Sequence, residues 1–464
     1  MRVAIAYPPL ESEKGVALLT QNRQFQWFSR PTYIFPVVPA TAATMLKANG
    51  HEVLFLDGIA AGLPAQEFDR RLAEFKPDYI VIETKTPVVK RHWRWIAERA
   101  PEGAKVIMVG DHVTALPEES IAKRGVHAVL CGGDWDYMLV DFLDGDCHGG
   151  IYPMVLRHDL KDAPWIDREL VDWKLYAFKN GNFRKTPGTY IMSGRDCWHA
   201  RCKFCSWTTL YPKYRTRDAV DVVDEIEMLA RKYGVKEIMD DSGSFPVGEW
   251  LNVFCAEMVR RGLNRRVRID CNMRFGKLGF ADYRMMRKAG FRLVLFGVES
   301  ANQETLDRLD KALKVEDVER GCEWAHKAGL DVHLTFMFGH PWEGKAEIDN
   351  TVRFARRLLA NGWASTLQCT MMIPYPGTPL FKELEASGGL ATKDWDEYDM
   401  RRAIIKTPKA SEEEIKAAIR SVYAGFLQPR ALLHRLCSTR TLFDFSFYYR
   451  GGRSLLGHLM DFKS

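Results

Sequence analysis

Cys197, Cys202 and Cys205 are the residues whose type and spacing point most directly to chemistry. They lie in the segment Gly194-Arg195-Asp196-Cys197-Trp198-His199-Ala200-Arg201-Cys202-Lys203-Phe204-Cys205-Ser206-Trp207. Three of the ten cysteines fall within these nine positions, and the other seven are scattered. Three thiolates on one loop bind three corners of an iron–sulfur cube and leave the fourth iron open to a substrate. A zinc site takes a fourth ligand, which His199 offers. Three unrelated buried cysteines are the third reading, and the tight spacing speaks against it. The remaining cysteines (Cys131, Cys147, Cys255, Cys271, Cys322, Cys369, Cys437) read as small buried hydrophobes.

The elements that position this loop follow from the apolar pattern. Runs at Val3–Ala6, Val53–Leu56, Tyr79–Glu83, Val106–Val109 and Ala128–Leu130 alternate with segments of helical spacing. Continuous apolar strands between helices predict an α/β, doubly wound parallel sheet of Rossmann-like type over residues 1–145. Residues 146–187, rich in Asp, Gly, Trp and Pro, read as a connector. From Thr189 the alternation resumes, with strands expected at Thr189–Ser193, Glu237–Asp240, Val267–Asn272, Leu293–Val298, Val332–Phe338 and Thr366–Met372. Six such units predict a partial (β/α)6 barrel of TIM type over residues 188–390, with its site at the carboxyl ends of the strands. Residues 391–464 read as a helical extension, and Ser411-Glu412-Glu413-Glu414 as a capping box.

Composition narrows the class. The chain has 464 residues, 46% hydrophobic and 27% charged, which suits a soluble globular protein of two or three domains. No apolar run matches a membrane span, and Met1–Pro9 reads as a buried strand broken by prolines, so a cytoplasmic location is expected. The net charge is +6, much of it in residues 428–464, where six Lys/Arg face two Asp. No long basic run suggests nucleic acid binding. The tail Phe443–Arg450 and Leu455–Phe462 mixes aromatics with basic residues. It reads as a helical cap on the barrel, or as a docking surface for a membrane or a lipid-like substrate.

The cysteine loop after the first barrel strand, with the aromatic Phe204 before its last cysteine, resembles the radical S-adenosylmethionine family. The family's usual spacing is three residues and then two, whereas this chain has four and then two. The resemblance implies a [4Fe–4S] cluster on Cys197, Cys202 and Cys205, with S-adenosylmethionine on the open iron. It implies contacts to that molecule from Phe204 and from the strand ends Met239-Asp240-Asp241-Ser242, Cys271-Asn272-Met273-Arg274, Phe296-Gly297-Val298-Glu299-Ser300 and Phe338-Gly339-His340-Pro341. The residues expected at the site are thus Asp240, Asp241, Ser242, Arg274, Glu299, Ser300 and Phe338. Reductive cleavage to a 5′-deoxyadenosyl radical and hydrogen abstraction from an unactivated carbon follow as the expected activity. A low-potential flavodoxin or ferredoxin is the expected electron donor.

The doubly wound domain in front, with Gly110-Asp111-His112-Val113-Thr114, is similar to that of the cobalamin-binding branch of the family. That branch implies cobalamin, with contacts expected from Thr84, Thr86, His112, Thr114 and Gly133, and most often methyl transfer. The Asp-x-His-x-x-Gly motif for a lower cobalt ligand is absent. Phe204-Cys205-Ser206-Trp207 followed by Tyr214-Arg215-Thr216-Arg217 looks closer to the hopanoid group, beside the anaerobic magnesium-protoporphyrin ester cyclases. Ring formation or rearrangement on a lipid- or tetrapyrrole-like small molecule is therefore the alternative ending. A zinc-stabilised ligand-binding protein is the alternative from another class. A methylthiotransferase would need a second cysteine set in the front domain, which Cys131 and Cys147 do not provide.

Overall fold

The computed structural model describes residues 1–19, 26–28, 32–156, 159–178, 180–211, 213–438 and 442–461. Two six-stranded parallel sheets organise them. The first holds β1 (Arg2–Tyr7), β2 (Glu52–Asp57), β3 (Tyr79–Glu83), β4 (Lys105–Val109), β5 (Val126–Leu130) and β6 (Gly150–Tyr152). Their order is β2-β1-β3-β4-β5-β6.

Period-two alternation sorts the side chains of this sheet between two cores. Val3, Ile5, Val81 and Ile107 face one core, with α1 (Val37–Ala48) and α2 (Trp135–Asp144). Ala4, Ala6, Ile80 and Met108 face the other, with Phe68 of the helix Ala65–Phe75 and Trp95 of α3 (Val89–Arg99). Both faces are covered, so the strands read as unbroken apolar runs.

The connector expected at 146–187 needs correction. β6 pairs in parallel with β5, so the first sheet runs past residue 145. Three residues are too few for an alternation to show. The stretch after it is firmly anchored. Arg168 is fully buried against Glu225, and the Tyr176 hydroxyl donates to Asp57 at 2.6 Å. A hairpin of Val16–Leu18 with Gln26–Phe28 also lies between β1 and α1, where no strand was expected.

The second sheet runs β12-β11-β10-β9-β8-β7. It consists of β7 (Gly188–Ile191), β8 (Glu237–Asp240), β9 (Arg268–Met273), β10 (Phe291–Glu299), β11 (Asp331–Phe338) and β12 (Thr366–Met371). All neighbours are parallel, and β7 and β12 do not pair, so the barrel is open on that side. α4 (Ala219–Lys232) is among its outer helices, capped by the Asp218 carboxylate, which accepts from the Val220 and Asp221 amides. The pairing of β10 with β11 shifts register between Gly297 and Glu299. Such a bulge re-aims the side chain that follows it.

The C-terminal part begins with an irregular strap, not with a helix. Leu390 and Ile405 form an isolated bridge, and Trp395, Tyr398 and Ile404 join the second core of the first sheet. α5 (Glu412–Ala424) then opens on the expected capping box of Ser411 and Glu414. α6 (Pro429–Ser438) and α7 (Leu442–Asp461) follow. Phe462 of the aromatic and basic tail lies outside the described residues. No helix among the described residues is long and apolar enough to cross a membrane.

Candidate active site

The cysteine loop leaves β7 and turns at two left-handed residues, Asp196 (φ 73°) and Ala200 (φ 50°). Ala200 lies inside the longer first spacing, so that stretch is taken up by a local turn. Backbone bonds pin the loop on both sides. The Lys203 amide donates to Leu309 at 3.0 Å, and the Leu380 amide donates to Lys203 at 3.0 Å. All three cysteines are free thiols.

Cys197, Cys202 and Cys205 line one end of a cavity of about 790 Å³ that runs through the barrel. Phe204, Arg274 and Glu299 line it too. Arg274 Nη1 donates to Cys202 Sγ at 3.7 Å, and its other terminal nitrogen donates to the Lys311 carbonyl. Lys311 Nζ pairs with Glu299 and sits 5.5 Å from the centre of the Phe204 ring. Glu299 has φ 71°, so strained backbone and the adjacent bulge together hold its carboxylate over Gly297. Burial raises the Cys202 thiol, with Lys311 and Arg274 acting against it, and pushes Cys205 up to about 12.

The other expected contacts stand elsewhere. Asp240 accepts from the amides of Ser193 and Ser242 at 2.9 and 3.0 Å, and Ser242 Oγ accepts from the Gly194 amide at 2.9 Å. The Asp241 amide donates to Ile191. These three shape the exit of β7 and do not line the cavity. Ser300 donates to Glu343 at 2.7 Å in a buried network, and Phe338 is fully buried in the main core. Asn272, within the expected strand end Cys271–Arg274, lines the cavity, and so does Lys311, which the sequence did not single out. Lys311 lies in a loop of no recognisable motif, Asp310-Lys311-Ala312, with positive φ on both flanks.

A second missed feature joins the two sheets. Arg195, two residues before Cys197, donates to Asp134 at 2.7 Å and to Asp136 at 2.8 Å, both at the start of α2. Arg215 reaches Asp134 at 2.6 Å. Burial works against the Arg195 charge, but Asp136 and Asp134 outweigh it and keep it protonated. The signal was an Asp-Trp-Asp step in an otherwise apolar helix start. Gly133 completes the joint, because any Cβ there would strike the Tyr211 ring.

The donor set fits an iron–sulfur cluster. Three free thiols share one cavity wall, and a buried polar atom beside them, Arg274 Nε, has no hydrogen-bond partner. A cube takes one thiolate per iron, so its thiolates sit apart. Among the described residues no group of three His, Cys, Asp or Glu side chains is drawn together on one ion position. His199 Nε2 is 2.7 Å from the Asp310 carbonyl instead. Arg274, Lys311 and Glu299 supply both charge signs beside the thiols, which suits the amino and carboxylate groups of S-adenosylmethionine.

The five residues expected at a corrinoid gather at the carboxyl ends of β3, β4 and β5, and none lines the cavity. Thr84 Oγ1 is 2.8 Å from His92 Nδ1, and Thr86 Oγ1 is 3.2 Å from His112 Nδ1. Thr114 Oγ1 accepts from the Gly132 amide at 2.8 Å. His112 Nε2 makes only a 3.6 Å approach to Glu119. The three hydroxyls are engaged within the protein, Thr114 also donating to the Gly110 carbonyl at 2.6 Å, so the buried His112 Nε2, which has no hydrogen-bond partner, is the group here that suits an amide-bearing corrinoid rim. The space over His112 is filled by Trp395, 5.3 Å away centre to centre. A corrinoid lying over His112 would meet Trp395.

Residues 191–355 match the Radical SAM superfamily. An uncharacterized methyltransferase of Pyrococcus horikoshii is 25% identical, over 93% of this chain and 94% of its own. The anaerobic magnesium-protoporphyrin IX monomethyl ester cyclase of Cereibacter sphaeroides is 25% identical over 84% of this chain and 66% of its own. The solved radical S-adenosylmethionine methyltransferase TsrM of Kitasatospora setae, with cobalamin and a [4Fe–4S] cluster bound, has a TM-score of 0.67 at 16% identity. It covers 98% of each chain, and the likeness extends to the fold of both domains.

Proposed function

We propose that this chain, which carries a radical S-adenosylmethionine domain behind a doubly wound domain, is a methyltransferase acting on an unactivated carbon of a small molecule. The observation that carries the reading is the placement of three free cysteines, Arg274, Lys311 and Glu299 on one cavity wall. Cys197, Cys202 and Cys205 would hold a [4Fe–4S] cluster. When bound and reduced, the cluster supplies the electron that splits S-adenosylmethionine into methionine and a 5′-deoxyadenosyl radical, which takes hydrogen from the substrate. Residues at the ends of β3 to β5, Thr84, Thr86, His112 and Thr114 among them, would hold a corrinoid, which would pass to the substrate a methyl group taken from a second S-adenosylmethionine, leaving S-adenosylhomocysteine; the names of the Pyrococcus and Kitasatospora relatives support that ending.

The chain's own groups bind and orient. Arg274 and Lys311 offer cations to the carboxylate of S-adenosylmethionine. Glu299 accepts from its amino group. Phe204 and Met337 give apolar walls that keep water from a reactive carbon. A low-potential flavodoxin or ferredoxin is the proposed electron donor.

Ring closure is the second reading, favoured by the match to the Cereibacter cyclase. Protein prepared without oxygen, with iron, sulfide, dithionite, S-adenosylmethionine and a cell extract as the substrate source, separates the two. Methyl transfer predicts S-adenosylhomocysteine that forms only with hydroxocobalamin. Cyclisation predicts 5′-deoxyadenosine with no S-adenosylhomocysteine.

A further inference from the structure

The helices that close the chain leave an apolar face uncovered. One side of α7 packs on the barrel, where Asp444 pairs with Arg184 and the Phe447 ring lies 5.7 Å from the Arg292 guanidinium. Phe445 and Tyr449, one helical turn apart, are 68 and 61% exposed. Leu427 and Leu432 are 60 and 41% exposed and border the far end of the cavity together with Phe445, so these side chains form one patch. Leu433 beside them is 60% exposed. A contiguous apolar patch on a folded surface marks a contact site.

The charges around the patch indicate what it meets. Residues 427–452 include four arginines and a single carboxylate, Asp444, which is buried and taken by Arg184. Arg430 and His434 are exposed on α6. The amino ends of the barrel strands, beside α7, are positive as well. Arg184 and Arg292 pair there with Glu237, Asp270, Asp331 and Asp444. Lys185, Lys236, Arg268 and Arg287 add to those two cations, so positive charge is in excess. Burial lowers the Lys185 pKa, Arg268 and Lys236 push it the same way, and Glu237 and Asp444 offset only part of this. Lys236 Nζ lies 5.5 Å from the ring of Phe443, itself 41% exposed, which joins the cations to the aromatic face.

We infer that this face docks on an anionic lipid surface, with Leu432, Phe445 and Tyr449 entering the headgroup layer and Arg430 and Lys236 meeting lipid phosphates. Leucines and aromatics flanked by cations, with the one carboxylate of residues 427–452 turned inward, are the make-up of a helix pair that lies in a membrane interface. No helix among the described residues is apolar enough to span, so the contact is peripheral. The docking face lies at the amino ends of the barrel strands, and the cysteine loop at the opposite end then points away from the bilayer. The inference rests on this surface and not on the chemistry at the cysteines.

The test is co-sedimentation of the full-length protein with phosphatidylcholine vesicles, with and without phosphatidylglycerol. The expected result is binding to the anionic vesicles about tenfold or more tighter than to the neutral ones, weakening as salt is raised. Phe445→Ser with Tyr449→Ser weakens binding to anionic vesicles about tenfold. Arg430→Gln with Lys236→Gln weakens it about fivefold per cation removed, on the anionic vesicles alone. All four positions are exposed, so both double variants keep the wild-type melting temperature. No binding to anionic vesicles, equal binding to both kinds, or binding that survives both double substitutions would overturn the inference. So would a wild-type dimer in sedimentation velocity that Phe445→Ser with Tyr449→Ser returns to a monomer, which would give the face to a second copy of the chain.

Discussion

His92 shows how a single side chain ties the carboxyl ends of the first sheet to pH. It is fully buried, Nδ1 meets Thr84, and burial alone lowers its pKa to about 3 from 6.5. The unfolded chain binds a proton there below pH 6.5 and the folded chain does not, so stability falls as pH drops between those values. The loss is up to about 1.4 kcal/mol per pH unit from this group. His92→Asn is expected to flatten the decline in urea midpoint between pH 6 and pH 4 relative to wild type. An unchanged slope would assign the acid sensitivity to other groups. Glu299 makes a second residue-scale case. If it accepts from the amino group of S-adenosylmethionine, Glu299→Gln is expected to weaken binding about tenfold by isothermal titration, with the cluster content unchanged.

The joint between the cysteine loop and α2 behaves as a unit. Arg195 is 4% exposed, and Asp134 and Asp136 are 1 and 0% exposed. Removing one partner leaves an uncompensated buried charge, which costs about 3–5 kcal/mol. Asp136→Ala is therefore expected to lower the melting temperature and to reduce iron uptake, because the strained loop loses its anchor. Normal iron content with normal stability would show that the loop is held by the Leu309 and Leu380 backbone bonds alone. The strands were legible in the sequence because apolar runs covered on both faces leave a continuous signal. β3 and β8 fall on the expected residues. β6 was not legible, since three residues at a sheet edge carry no period. The strand-end motifs announced loops near the cysteines. They did not say which side chains turn inward, so Arg274 and Glu299 line the cavity while Asp240 and Phe338 do not. That choice depends on local backbone, a bulge before Glu299 and the amide bonds that Asp240 accepts from Ser193 and Ser242, which composition does not encode.

At the scale of the molecule, the strap links the two ends of the chain. Trp395 donates to Glu119 at 3.0 Å, Lys90 meets Asp394 at 2.6 Å, and Lys14 pairs with Asp399. Trp395 packs on His112, so if a corrinoid lies over that side chain its binding carries the cost of displacing the strap. Trp395→Ala is expected to tighten hydroxocobalamin binding about tenfold in an absorbance titration. Weaker binding would show that Trp395 holds the ligand instead of excluding it. The account stands or falls on the cysteine wall. The most direct measurement is 5′-deoxyadenosine formed from S-adenosylmethionine by anaerobically reconstituted, dithionite-reduced protein, in wild type and in Cys202→Ala. The account predicts product in wild type and none above background in the variant. Equal product in both, or zinc in place of iron with no product in either, would contradict it.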